Sequence, residues 1–138
     1  TNYNRIFEKL KSLTIQQSER FKPYAGTKVA VYHREASYLA QRLRLTVAAS
    51  IEEKPGVPPS AAYLKQVIEQ LRTQNVNIIL VAPFNNRSYA DAVAREIHGR
   101  VVVLPISVGS MSGAETYESA FQMSVEQLIA AAQANAKK

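Results

Sequence analysis

Four short stretches decide what this chain can fold into. Lys28-Val29-Ala30-Val31-Tyr32, Leu45 to Ala49, Asn77-Ile78-Ile79-Leu80-Val81-Ala82 and Arg100-Val101-Val102-Val103-Leu104 are apolar runs rich in β-branched residues, with no strict alternation. A strand with one wet face alternates, whereas a continuous run needs cover on both faces, as in a parallel sheet. Helical patterns separate the runs. Residues 2–22 carry Tyr3, Ile6, Phe7, Leu10 and Leu13 at helical spacing, and Pro23-Tyr24-Ala25-Gly26 turns the chain into the first strand. A second helix is expected at about 35–43, with Tyr38, Leu39 and Leu43 inward. A third, at about 61–73, starts at the N-cap Ser60 and packs Ala61, Leu64, Val67, Ile68 and Leu71. The fourth, at about 88–97, ends at His98-Gly99 with Gly99 at C′. The last, at about 114–134, buries Tyr117, Phe121, Val125, Leu128, Ile129 and Ala132 and frays into Lys137-Lys138.

Alternation of helices and strands predicts an α/β fold: a three-layer α-β-α lobe with a four-stranded parallel sheet, preceded by a long N-terminal helix. Residues 1–24 are expected to form that helix and 25–138 the lobe. With 138 residues the chain is long enough for one cored domain. It has no Cys, which removes disulfides, thiolate zinc sites and thiol catalysis. No apolar run approaches the roughly 18 residues of a membrane span. The chain opens on Thr1-Asn2-Tyr3 without an initiator Met or signal peptide, and reads as a mature chain, an isolated domain or a fragment. All of its net +6 lies in residues 1–44, with nine Lys/Arg against three Glu; residues 45–138 balance at eight against eight. The spacing of these charges reads as a solvated face, with a basic interaction surface as the alternative.

Right-handed crossovers gather the loops that leave the strands' carboxyl ends on one rim. That rim holds His33, Glu35, Glu52, Glu53, Asn85, Asn86, Arg87, Ser107 and Ser110. His33 reads as a metal ligand or general base, or as a histidine capping the following helix. One histidine is not a metal site, and His98 before Gly99 reads as a helix C-terminal residue. Ser107, Ser110 and Ser112 have no nucleophile elbow. Gly109-Ser110-Met111-Ser112-Gly113 lacks both phosphate-loop spacings and reads as a helix entry. Tyr32, Tyr38 and Phe84 read as core and rim packing rather than base-stacking groups.

Several stretches together resemble one family. Val31-Tyr32-His33-Arg34-Glu35-Ala36-Ser37-Tyr38-Leu39, the loop Ile51-Glu52-Glu53-Lys54-Pro55-Gly56-Val57-Pro58-Pro59-Ser60 before Leu64, Leu80-Val81-Ala82-Pro83-Phe84 and Val103-Leu104-Pro105-Ile106-Ser107-Val108-Gly109 are similar to segments of the periplasmic solute-binding proteins of zinc- and manganese-type ABC importers. The zinc-uptake type is the nearer pattern. The resemblance covers residues 2–134 and only the C-terminal lobe of such proteins, with residues 2–22 as the latter part of the helix joining two lobes. It implies a metal-binding transport protein and no enzyme, with His33 as the one ligand from this lobe. Glu35, Glu52, Asn85 and Ser107 would line the cleft. Zinc is the implied ion, with manganese as the alternative, held weakly by this lobe alone. The partners would be the N-terminal lobe, absent here, and a membrane ABC permease; the location would be periplasmic or extracytoplasmic, with a monomer and no nucleic acid expected. Manganese-type members carry glutamate where His33 stands. Some members supply an aspartate at the fourth strand end, where this chain reads Leu104-Pro105-Ile106-Ser107, and some a carboxylate before Pro83, where it has Ala82. Two rival readings stand apart from the resemblance: a small α/β enzyme with His33 as base beside Glu35 or Ser107, and an interaction module built on the basic residues 5–44.

Overall fold

A computed structural model describes residues 1–137 and, of Glu35, the backbone alone; Lys138, expected to fray, lies outside the described residues. The elements are α1 (Asn2–Phe21), a 3-10 turn (Lys22–Tyr24), β1 (Lys28–Val31), a second 3-10 turn (Arg34–Ala36), α2 (Ser37–Arg42), β2 (Thr46–Ser50), α3 (Ala61–Thr73), β3 (Ile78–Val81), α4 (Arg87–Glu96), β4 (Arg100–Val103) and α5 (Tyr117–Ala136). The strands form one parallel sheet in the order β2-β1-β3-β4. The expected α/β class and four-stranded parallel sheet are present, as is the long first helix.

Alternation along each strand divides the core between two layers. Val29 and Val31 of β1, Ile78 and Leu80 of β3 and Val102 of β4 pack with Phe21, Leu43, Phe121, Val125 and Leu128. Ala30, Ile79 and Val81 face the other way, onto Val67 and Leu71 of α3 and Ala90 and Val93 of α4. Ile78 and Ile79 are both fully buried, which is why β3 reads as an unbroken apolar run. Each such side chain contributes about 1.5–3 kcal/mol by leaving water.

Helix boundaries depart from the sequence expectation in two places. The second helix opens with the 3-10 turn Arg34–Ala36, and the last begins at Tyr117 rather than 114. Thr116 is its N-cap, in a reciprocal capping box with Ser119, so Gly109 to Gly113 belongs to a loop that ends before the helix.

On four helices, residues expected to face inward are exposed. On α1, Tyr3, Ile6 and Phe7 are exposed at 74%, 53% and 52%, while Thr14, Gln17 and Phe21 are the buried residues. Only Leu13 of the expected stripe packs against the core cluster. Tyr38 and Tyr117 are likewise exposed. In α3, Val67 and Leu71 are buried as expected, but Ala61 faces solvent. Salt bridges from Lys9 to Glu118 (2.9 Å) and Arg20 to Glu126 (3.8 Å) run between α1 and α5.

Helices α2, α3 and α4 end in the same way. Arg44, Asn75 and His98 take left-handed φ values of 55°, 56° and 52°. In each case the next N–H closes on the carbonyl five residues back: Leu45 to Ala40 O, Val76 to Leu71 O and Gly99 to Ala94 O. His98, not Gly99, therefore holds the C′ place. Gly99 has a different reason to be glycine, because a Cβ there would lie 2.6 Å from the Asn77 carbonyl oxygen. Asn and His tolerate left-handed backbone better than Arg does. Arg44→Gly should therefore raise stability by about 1 kcal/mol in urea denaturation; a loss of that size would show that the Arg44 side chain supports the fold.

Candidate metal centre

The site begins with a strand that stays paired past its own end. Tyr32, one residue beyond β1, donates its N–H to the Leu80 carbonyl at 2.8 Å and accepts from the Glu52 N–H at 3.1 Å. The Ser50 hydroxyl is 3.2 Å from the same Tyr32 oxygen. Backbone on both sides thus holds the residue before His33, and the Tyr32–Glu52 bond brings the start of the β2 loop alongside it. A register shift sets up this match: Val29 pairs with Val47, but Ala30 pairs with Ala49, so β2 carries one extra residue. From below, the Tyr63 hydroxyl of α3 donates to the Ser50 carbonyl at 2.7 Å.

His33 occupies the N-cap position of the Arg34–Ala36 turn with extended backbone, yet its side chain makes no capping hydrogen bond. The ring instead places Nδ1 against Glu52 Oε2. The other carboxylate oxygen, Oε1, accepts from the Gly56 N–H at 2.8 Å. Gly56, at φ 75°, follows Pro55 in a turn closed by Val57 N–H to the Lys54 carbonyl, and Pro-Gly with a positive φ at glycine is the type II pattern. Both Glu52 oxygens are therefore engaged. Its side chain is only 13% exposed, against 28% for His33.

This arrangement dictates the ring's chemistry. A carboxylate at Nδ1 accepts a hydrogen bond from the N–H there, which in the neutral imidazole leaves the lone pair on Nε2. A cation at Nε2 would also feel the Glu52 charge through the ring. The charge is felt nearby: burial first, then Glu52 and Tyr89, push the Tyr32 phenol above its ordinary range. Burial and the charge of Glu53 do the same to Tyr63.

Of the carboxylates, hydroxyls and amides singled out on this rim, Glu52 is the one whose side chain meets the His33 ring among the described residues. Glu53 is exposed. Asn85 Oδ1 accepts from the Ala82 N–H at 2.7 Å, so it shapes the loop after β3. Ser107 is exposed, its carbonyl accepts from the Ser110 N–H, and among the described residues it has no hydrogen bond to His33. The Glu35 side chain lies outside the described residues. Among the described residues no cluster of three or more His, Asp or Glu forms. Glu52, expected only to line the cleft, holds the His33 ring, and Gly56, Ser50 and Tyr63 support the pair without having been singled out in the sequence. The Lys54-Pro55-Gly56-Val57 turn was the available signal.

The family model described as "zinc-uptake complex component A, periplasmic" matches residues 1–131. Comparison with curated proteins returns no match. Among solved structures, the laminin-binding protein Lmb of Streptococcus agalactiae, described as having adhesin and metal-transporting activity, is 26% identical with a TM-score of 0.75; the match covers 91% of this chain and 48% of that one. The solute-binding protein FpvC of Pseudomonas aeruginosa in its Ni2+ complex is 25% identical with a TM-score of 0.79, covering 97% of this chain and 50% of that one. Its Mn2+ complex gives 25% identity and a TM-score of 0.76, covering 97% and 51%. The chain thus spans about half the length of these solved proteins. With a family match over nearly its whole length, and the fold of metal-carrying relatives, the chain belongs to the family of periplasmic zinc-uptake solute-binding proteins.

Proposed function

We propose that this chain is the C-terminal lobe of a solute-binding protein that carries a transition-metal ion, zinc in the first place, to a membrane ABC importer. The observation that carries the reading is the Glu52–His33 pair, which presents Nε2 as a single ligand on the rim of the sheet. Neutral imidazole favours zinc over manganese, which prefers oxygen donors. Zinc needs three or four ligands, and this half supplies one nitrogen. The remaining ligands are assigned to the other half of the protein, and α1 to the helix that joins the halves. The extracytoplasmic location follows the family. Among the described residues no helix is long and apolar enough to cross a membrane.

Exposed apolar groups support a second half. Tyr38, Phe84, Val108 and Tyr117 are 44–66% exposed. Tyr38, Val108 and Tyr117 border a groove of about 200 Å³ with Leu39, Pro105 and Ile106. Phe84 follows β3 on the same rim. Such a surface suits burial against another lobe, with the ion trapped between. Separation of the lobes would then strip most ligands from the ion and release it. The family is one of transport binding proteins, and the enzyme reading gains nothing from Ser107.

Isothermal titration of the chain with Zn2+ should show weak binding that His33→Ala abolishes. Glu52→Gln should weaken it about 10–100-fold. Tight 1:1 binding indifferent to His33→Ala would overturn the assignment. Gly56→Ala has room for its Cβ but not the φ. It should cost about 1 kcal/mol in urea denaturation and weaken Zn2+ binding in the direction of Glu52→Gln; unchanged affinity would show that the turn does not position Glu52.

A further inference from the structure

Among the described residues none of the lysines and arginines of the N-terminal third pairs with Glu52 at the metal centre, and part of this charge converges at the opposite rim. Lys22 lies between α1 and β1, and Arg42 and Arg44 lie at the junction of α2 and β2, so all three stand at the strands' amino ends. With Ser18, Glu19 and Thr14 they line a concavity of about 450 Å³. Its two walls are tied together by the Gly26 N–H, which donates to the Arg44 carbonyl at 2.8 Å. Glu19 is the only acidic group in the lining, 3.8 Å from Lys22. Among the described residues no carboxylate pairs with Arg42 or Arg44.

Arg44 also holds an unfavourable backbone place. The two matching helix ends carry Asn75 and His98, residue types that accept a left-handed φ. Among the described residues the Arg44 side chain makes no hydrogen bond or ion pair, and residues held in sparsely populated backbone conformations cluster at functional sites. We propose that the Lys22–Arg42–Arg44 concavity binds a phosphate-bearing anion. Two guanidinium forks match phosphate oxygens bidentately and stay charged at any physiological pH, while Lys22 adds a mobile point charge. The phosphate could be that of a free oligophosphate or of a lipid headgroup; the chemistry is shared.

The test uses the whole chain in two arms: titration calorimetry with sodium tripolyphosphate at low salt, and co-sedimentation with phosphatidylglycerol vesicles against phosphatidylcholine vesicles. Saturable binding in at least one arm is expected, reduced about tenfold by Arg42→Gln and again by Arg44→Gly. Arg5→Ala with Lys11→Ala, which removes the same charge outside the concavity, should change affinity much less. Zn2+ binding should be untouched by the arginine variants, and anion binding untouched by His33→Ala, so this site stands or falls apart from the metal centre. No binding in either arm, or an equal loss from the Arg5/Lys11 pair, would overturn it. Circular dichroism of each variant checks folding, and Arg44→Gly is expected to be the more stable protein.

Discussion

The hydrogen bond between the Glu52 N–H and the Tyr32 carbonyl is the point on which the site depends. It continues the parallel ladder one step past both strands, so that two loops leaving the sheet travel side by side. Without it, His33 and Glu52 would be polar residues on separate loops; with it, a carboxylate meets an imidazole nitrogen. The bond itself depends on the extra residue in β2, which advances the register by one. The Pro55-Gly56 turn then returns an N–H to the carboxylate and fixes it from the far side. Backbone geometry does the placing, and the side chains follow.

The sheet positions this pairing because its order changes direction at β1. β2 lies on one side of β1 and β3 on the other, so the loops after β1 and β3 leave the carboxyl rim in opposite directions, which is where open α/β sheets place their ligands. His33 follows β1 at that position. The buried runs of β1 and β3 make the platform rigid, because each is covered on both faces.

Much of this was legible in the residues. The unbroken apolar runs of β1, β3 and β4 announced a doubly covered parallel sheet, and Ser60 marked the start of α3 through its N-cap bond to the Tyr63 N–H. His33 stood out by following the first run. What the sequence concealed has physical causes. Tyr3, Ile6 and Phe7 have helical spacing and read as a buried stripe, yet periodicity reports only that a face is apolar, not what covers it. Here that face is exposed and the core takes Thr14, Gln17 and Phe21 instead. Glu52 and Glu53 are indistinguishable as letters; the strand register turns one to His33 and the other to water. Gly99 looked like a helix terminator, but His98 adopts the left-handed backbone and the glycine answers a close approach to Asn77.

We propose that Glu52 fixes the proton on Nδ1 of His33 and leaves Nε2 to the metal. Two-bond 1H–15N correlation of the imidazole nitrogens, recorded with and without Zn2+, tests it directly. A protonated Nδ1 and a bare Nε2 are expected in the metal-free chain, with Zn2+ shifting Nε2 alone and the pattern scrambling in Glu52→Gln. Protonation at Nε2, or a zinc-induced shift at Nδ1, would contradict it.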